Sequence, residues 1–86
     1  MYTVVLSSHA RKALGKLERS VQARIIVSLE LLKEDPRPPK AVKLKGEDNA
    51  WRIRVGDYRI VYEVIDTELV VWVVRIADRK DVYRKK

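Results

Sequence analysis

The segment from Trp51 to Tyr62, WRIRVGDYRIVY, limits the possible folds more than any other stretch of the chain. Trp51, Ile53 and Val55 alternate with Arg52 and Arg54. Beyond Gly56-Asp57, Tyr58, Ile60 and Tyr62 alternate with Arg59 and Val61. Two-residue periodicity on both sides of a turn dipeptide predicts a β-hairpin, and the loop length fixes its register. Val55 then faces Tyr58, Arg54 faces Arg59, Ile53 faces Ile60 and Trp51 faces Tyr62. Directly paired residues share a face, so one face is a core and the other sets Arg54 against Arg59 with Arg52 close by. Like charges opposite one another weaken a ladder. Either the arginines splay into water, or they converge on an anion that guanidinium groups bind in bidentate fashion.

The flanking sequence supplies what the hairpin packs on. Tyr2 to Leu6 is a short β-branched run that reads as a strand, and Ser7-Ser8 provide an N-cap for a helix from about His9 to Leu17. Its apolar stripe is Ala10, Ala13, Leu14 and Leu17, with Arg11, Lys12 and Lys16 outside. Gly15 either weakens that helix or marks close packing. A second helix runs from about Ser20 to just before Pro36, because the residue preceding a proline is pushed out of helical geometry. Val21, Ile25, Leu29 and Leu32 form its core stripe. Val27 and Leu31 lie one turn apart on another face, where they pack on the first helix, stand as scattered exposed apolar residues, or dock a partner.

Arg37 to Lys40 is a stiff loop. Val42 and Leu44 then alternate with Lys43 and Lys45, a strand with one apolar and one basic face. Gly46 to Asn49 is turn chemistry. After Tyr62 the strand runs on to Ile65, and Asp66-Thr67 with Glu68 reverses the chain through two or three loop residues. Leu69 to Ile76 is almost continuously apolar, as in an interior strand covered on both faces. A polar tail, ADRKDVYRKK, follows.

These elements predict an α+β domain spanning 1–86, with the N-terminal strand and a two-helix hairpin on one face of a mostly antiparallel sheet. The other face then carries Lys43, Lys45, Arg52, Arg54 and Arg59, followed by the tail with Arg79 and Tyr83. Basic groups sharing one face, in a chain of net charge +7, favour the anion reading and nucleic acid as the anion. No membrane partner is expected. The run from Leu69 to Val74 is far short of the ~20 residues of a spanning helix, and the N-terminus lacks a signal-peptide layout. The absence of cysteine fits a reducing, cytoplasmic setting.

The usual catalytic signatures are missing: no glycine-rich phosphate loop, no histidine pair, no metal-spaced carboxylates and no Cys or Ser nucleophile setting. No metal or cofactor is called for. His9 reads as a surface residue near a helix start. Cleaving RNA through its own 2′-hydroxyl needs only a group for the 2′ proton, charge stabilisation at phosphorus, and help for the leaving 5′ oxygen. Tyr83, the arginines, the lysines and Glu63, which by alternation shares the face of Arg59, are available for those roles. A dense cationic cluster also lowers the pKa of a nearby Tyr or Lys.

VKLKG (Val42–Gly46), WRIRVGDYRIVYEV (Trp51–Val64) and RIADRKDVY (Arg75–Tyr83) together resemble the RelE family of bacterial and archaeal toxins. The two-helix start resembles it too, so the likeness covers essentially the whole chain. It implies a ribosome-dependent mRNA endonuclease that cuts in the A site without a metal and arrests translation. It also implies an acidic, partly disordered, RelB-like antitoxin that wraps and inhibits the toxin in a hetero-oligomer. Arg59 matches the family's phosphate-contacting arginine, and Arg79 and Tyr83 match its C-terminal arginine and its acid/base tyrosine. Arg52 and Arg54 stand where some members carry lysine. Lys43 and Lys45 resemble the basic strand before the glycine, and Lys80 and Arg84 add charge for RNA beside the tail residues. Asp78 departs from the His or Lys of many relatives and leaves the general base open. The same fold also serves a ParE-like branch that poisons DNA gyrase without nuclease activity, and a plain ribosome- or RNA-binding module is a third reading. The presence of Arg59, Arg79 and Tyr83 together favours the nuclease.

Overall fold

The computed structural model describes residues 1–78. In chain order the elements are β1 (Thr3–Leu6), α1 (Ser8–Gly15), α2 (Arg19–Glu34), β2 (Val42–Lys43), β3 (Ala50–Val55), β4 (Tyr58–Ile65) and β5 (Val70–Asp78). Ser7 starts α1 in two ways at once. Its hydroxyl accepts from the Ala10 N–H at 3.0 Å and donates to the Val74 carbonyl at 2.7 Å, so one side chain caps the helix and ties it to β5. The helix stops at Gly15, short of Leu17. A Cβ on Gly15 meets nothing within 4 Å, so this glycine marks an end and not a close approach. Before Pro36, α2 ends as expected. It buries Ile25, Leu29 and Leu32, a stripe at helical spacing.

The five strands lie in the order β1-β5-β4-β3-β2, with β1 parallel to β5 and the other neighbours antiparallel. The central hairpin has the register read from its two-residue turn, including Arg54 opposite Arg59. Both helices pack on the face that carries Ile53, Val55, Ile60, Tyr62, Val64, Val71, Val73 and Ile76. Among the described residues, no helix is long and apolar enough to cross a membrane.

The structure departs from expectation in the last hairpin. Ile65 pairs with Val70, so the reversal takes four residues, Asp66 to Leu69, instead of two or three. Asp66 is drawn outward by other partners: it accepts from the Tyr2 hydroxyl at 2.6 Å and pairs with Arg37 at 2.7 Å. Leu69, outside the strand, takes φ +55°, and its carbonyl accepts the Thr3 N–H at 2.8 Å, the first rung of the β1–β5 ladder. β5 is interior in the sheet but not covered on both faces. Val71, Val73 and Ile76 are buried while Val70, Trp72 and Val74 are only half-buried, because both helices lie on one side.

β5 also contains a bulge. Tyr62 pairs with Val73 but Val61 pairs with Arg75, which leaves Val74 as an extra residue. Strict alternation from Val71 and Val73 would have driven Arg75 into the core and Ile76 out. The bulge reverses that assignment. Ile76 is buried and Arg75 is exposed.

Tyr62 fastens the sheet to the loop after α2. Its buried hydroxyl donates to the Pro36 carbonyl at 2.7 Å, and burial pushes its pKa up to about 12. Tyr62→Phe leaves that carbonyl unmet and is expected to cost about 1–3 kcal/mol in denaturant unfolding near neutrality. The folded-state pKa is raised, so the tyrosine's contribution is complete below pH 10.0, the ordinary tyrosine value, and is lost as pH rises through about 12. Denaturation curves across that range should therefore converge for wild type and variant. A constant gap would contradict this account of Tyr62.

Candidate nucleic-acid interface

The sheet face turned away from the helices is organised in rows across the strands. One row runs Val42, Arg52, Val61, Arg75 and the next runs Arg54, Arg59, Ala77. Neighbouring strands lie about 4.8 Å apart, so Arg59 is central, with Arg52, Arg54 and Arg75 on the positions around it. Arg54 and Arg75 are exposed, and Arg52 and Arg59 half-buried. The Nε of Arg59 is buried and has no hydrogen-bond partner among the described residues. The ion pairs of the described residues, Lys33–Glu30 and Arg37–Asp66, do not involve these arginines. A buried, unmet N–H costs about 1–3 kcal/mol, and the like-charge pair adds to that cost. Such a cluster is stabilised when an anion enters it.

The residues expected beside the arginines divide sharply. Arg52, Arg54 and Arg59 share the open face as anticipated. Lys43 does not: it pairs with Trp51, on the helix side, and Val42 takes the open-face position opposite Arg52. The cause is the connection into β3, where the Leu44 N–H bonds to the Ala50 carbonyl at 2.9 Å and sets residue 42 against residue 52. Lys45 lies in the exposed turn after β2 and not on a strand. Glu63 is on the open face, paired with Trp72 and Ala50. It stands four residues from Arg59 along β4, roughly 13 Å of strand, too far to serve the same phosphate.

Arg79, Lys80, Tyr83 and Arg84 lie outside the described residues. The chain leads to them from Ala77, the direct partner of Arg59. Arg75 is the residue that sequence reasoning missed. Its arginine was in plain view in RIADRK, but its face depends on the Val74 bulge, which no periodicity signals. Val27 and Leu31 are 58% and 63% exposed, with Ile26 beside them, so they do not pack on α1.

A mixed five-stranded sheet backed by two helices, with arginines on its open face, defines a class of small toxins: residues 4–83 match the family described as "ParE toxin of type II toxin-antitoxin system, parDE". Within that class the chain is similar to RelE proteins. It is 34% identical to a putative RelE-like toxin protein of Escherichia coli over 95% of this chain and 90% of the relative. It is 33% identical to the mRNA interferase toxin RelE of E. coli K12, with the same coverage. Among solved structures, the isolated E. coli RelE toxin superposes with a TM-score of 0.82 at 30% identity, covering 91% of this chain and 84% of that one. The RelE–RelB complex of Pyrococcus horikoshii OT3 gives 0.82 at 27% identity over 98% of both chains. The chain belongs to the RelE/ParE superfamily of type II toxin–antitoxin toxins.

Proposed function

We propose that this chain is the toxin of a type II toxin–antitoxin pair and acts as an mRNA endoribonuclease, cutting translated mRNA on the ribosome. The observation that carries this reading is the open-face arginine cluster around Arg59, whose buried Nε has no hydrogen-bond partner among the described residues. The cluster holds one phosphodiester with its non-bridging oxygens on Arg59, Arg52 and Arg54. The neighbouring 2′-oxygen attacks phosphorus as its proton is removed, and a P–O2′ bond forms. The P–O5′ bond breaks, and the 5′ oxygen leaves with a proton. A 2′,3′-cyclic phosphate and a free 5′-hydroxyl result. The guanidinium groups take up the charge that grows on the phosphorus oxygens. Proton transfer falls to Tyr83, with Arg79 beside it, a role carried by the resemblance of DRKDVY. Lys43 faces the helix side, Lys45 lies in the turn after β2 and Glu63 is roughly 13 Å along β4 from Arg59, so none of them is given that task. Lys80 and Arg84 add phosphate contacts, and the work is done by one domain in the cytoplasm, where mRNA is translated.

The test is primer extension on mRNA from cells expressing the chain. Cuts inside translated frames support the nuclease, and their absence under translation arrest sinks it. A second reading, a gyrase poison without nuclease activity, is favoured by the ParE description of the matching family. It predicts intact mRNA and gyrase-linked DNA breaks.

A cognate, acidic, RelB-like antitoxin is the partner, as in the RelE–RelB complexes among the structural neighbours. The exposed stripe of Val27 and Leu31 on α2 is assigned to its docking. Leu31→Glu should weaken antitoxin affinity by about ten-fold or more, in the range of interface hot spots, while cleavage is unchanged. An equal affinity for wild type and variant in a titration would remove this stripe from the interface.

A further inference from the structure

β1 stops opposite Val73, where Ser7 turns the chain into α1. The last stretch of β5 therefore has a helix beside it instead of a strand. Between them opens a groove of about 420 Å³, lined by His9, Lys12 and Ala13 of α1, by its C-cap Lys16, and by Arg75, Ile76 and Ala77 of β5. Every polar side chain among these is basic. Lys12, Lys16 and Arg75 are exposed and have no ion pair among the described residues.

The positions of these groups follow a track. Lys12 and Lys16 are one turn apart, about 6 Å along the helix axis, close to the step between successive phosphates of a nucleic-acid strand. Lys12 in the last turn also complements the helix dipole, which accounts for one lysine. It does not account for Arg75, which the bulge at Val74 turns onto the open face. Ala77 lines the groove and is the paired neighbour of Arg59, so the groove opens directly onto the arginine cluster across a side chain too small to block it.

We infer that this groove is a second phosphate-binding site, which seats the RNA backbone adjoining the phosphate held at Arg59. Lys12 and Lys16 form one wall and Arg75 stands at the junction of the two sites. The inference rests on the RNA-directed reading of the open face and extends it. An acidic protein segment is the competing occupant. RNA is favoured because Arg54, Arg59 and Arg75 occupy neighbouring positions of the open face, and Arg75 shares the groove with Lys12 and Lys16.

The test uses non-cleavable 2′-O-methyl RNA in two lengths, one spanning the arginine face alone and one several nucleotides longer, with binding followed by anisotropy against salt. Lys12→Ala/Lys16→Ala keeps α1 intact, since alanine is the best helix former. For the longer RNA it should lower affinity about ten-fold and flatten the log–log salt slope by roughly 1.4, two phosphates at about 0.7 each. The shorter RNA should bind wild type and variant alike. Equal affinity and slope for the longer RNA overturn the inference. So does a variant that loses affinity for the acidic antitoxin while its RNA binding is intact. Wild-type cleavage with a slope indifferent to the lysines defeats the groove and leaves the nuclease standing. Lysine-dependent RNA binding without cleavage does the reverse.

Discussion

Arg59→Ala should cleave mRNA on programmed ribosomes at least about ten-fold more slowly than wild type, with an unchanged fold. The magnitude follows from removing one charge-assisted donor aimed at the phosphorus oxygens, worth about 1.5–3 kcal/mol. Arg59 is the best placed of the cluster to show it, since it lies between Arg54 and Ala77 with a buried Nε that has no partner among the described residues. Stability should hold, or rise by up to about 1 kcal/mol, because the substitution relieves the like-charge pair with Arg54. Activity and stability are thus expected to move in opposite directions, which a packing role for Arg59 does not allow. Arg59→Lys keeps the charge but loses the bidentate fork, and should recover only part of the rate. Cleavage by Arg59→Ala at the wild-type rate would remove the phosphate role.

Tyr83→Phe should lower the single-turnover cleavage rate on the order of 10²-fold or more, with ribosome affinity little changed. A tyrosine in an arginine-rich tail has another employment: its ring can stack on a base. Stacking is worth about 1–3 kcal/mol when the ring is removed, but phenylalanine keeps the ring, so a stacking tyrosine loses almost nothing. The comparison isolates the hydroxyl. With enzyme saturating over ribosomes, the rate reports the chemical step alone. Near-equal rates would hand Tyr83 to binding and require a different proton carrier.

The hairpin was legible because a two-residue turn leaves only one register, and six apolar residues confirm it by alternation. From that register the arginines of β3 and β4 could be placed on one face without coordinates. Lys43 was misplaced for the opposite reason. The connection from Val42 to Ala50 is long enough to admit either phase, and a one-residue shift changes the face of every side chain. The four-residue reversal before β5 was hidden as well, since it depends on Asp66 being held by Tyr2 and Arg37, partners 64 and 29 positions distant. The groove beside α1 was invisible in principle. It exists because β1 is shorter than β5 and α1 takes the vacated place, a relation between parts of the chain more than sixty residues apart.

The bulge at Val74 sets what kinds of change the end of the chain can accept. Up to Val73 the strand counts inside and outside in one phase, and from Arg75 onward it counts in the other. Side-chain replacements at residue 74 leave that switch in place, whereas loss of the residue restores a single phase. Removing Val74 would leave Val73 and Arg75 as successive residues opposite Tyr62 and Val61, so Arg75 and Ala77 would stay on the open face and Ile76 in the core. Loss of a residue here is thus better tolerated than gain. A single-codon deletion of Val74 should keep the core and the arginine row, whereas an added residue must widen the bulge or reverse the faces of Arg75, Ile76 and Ala77.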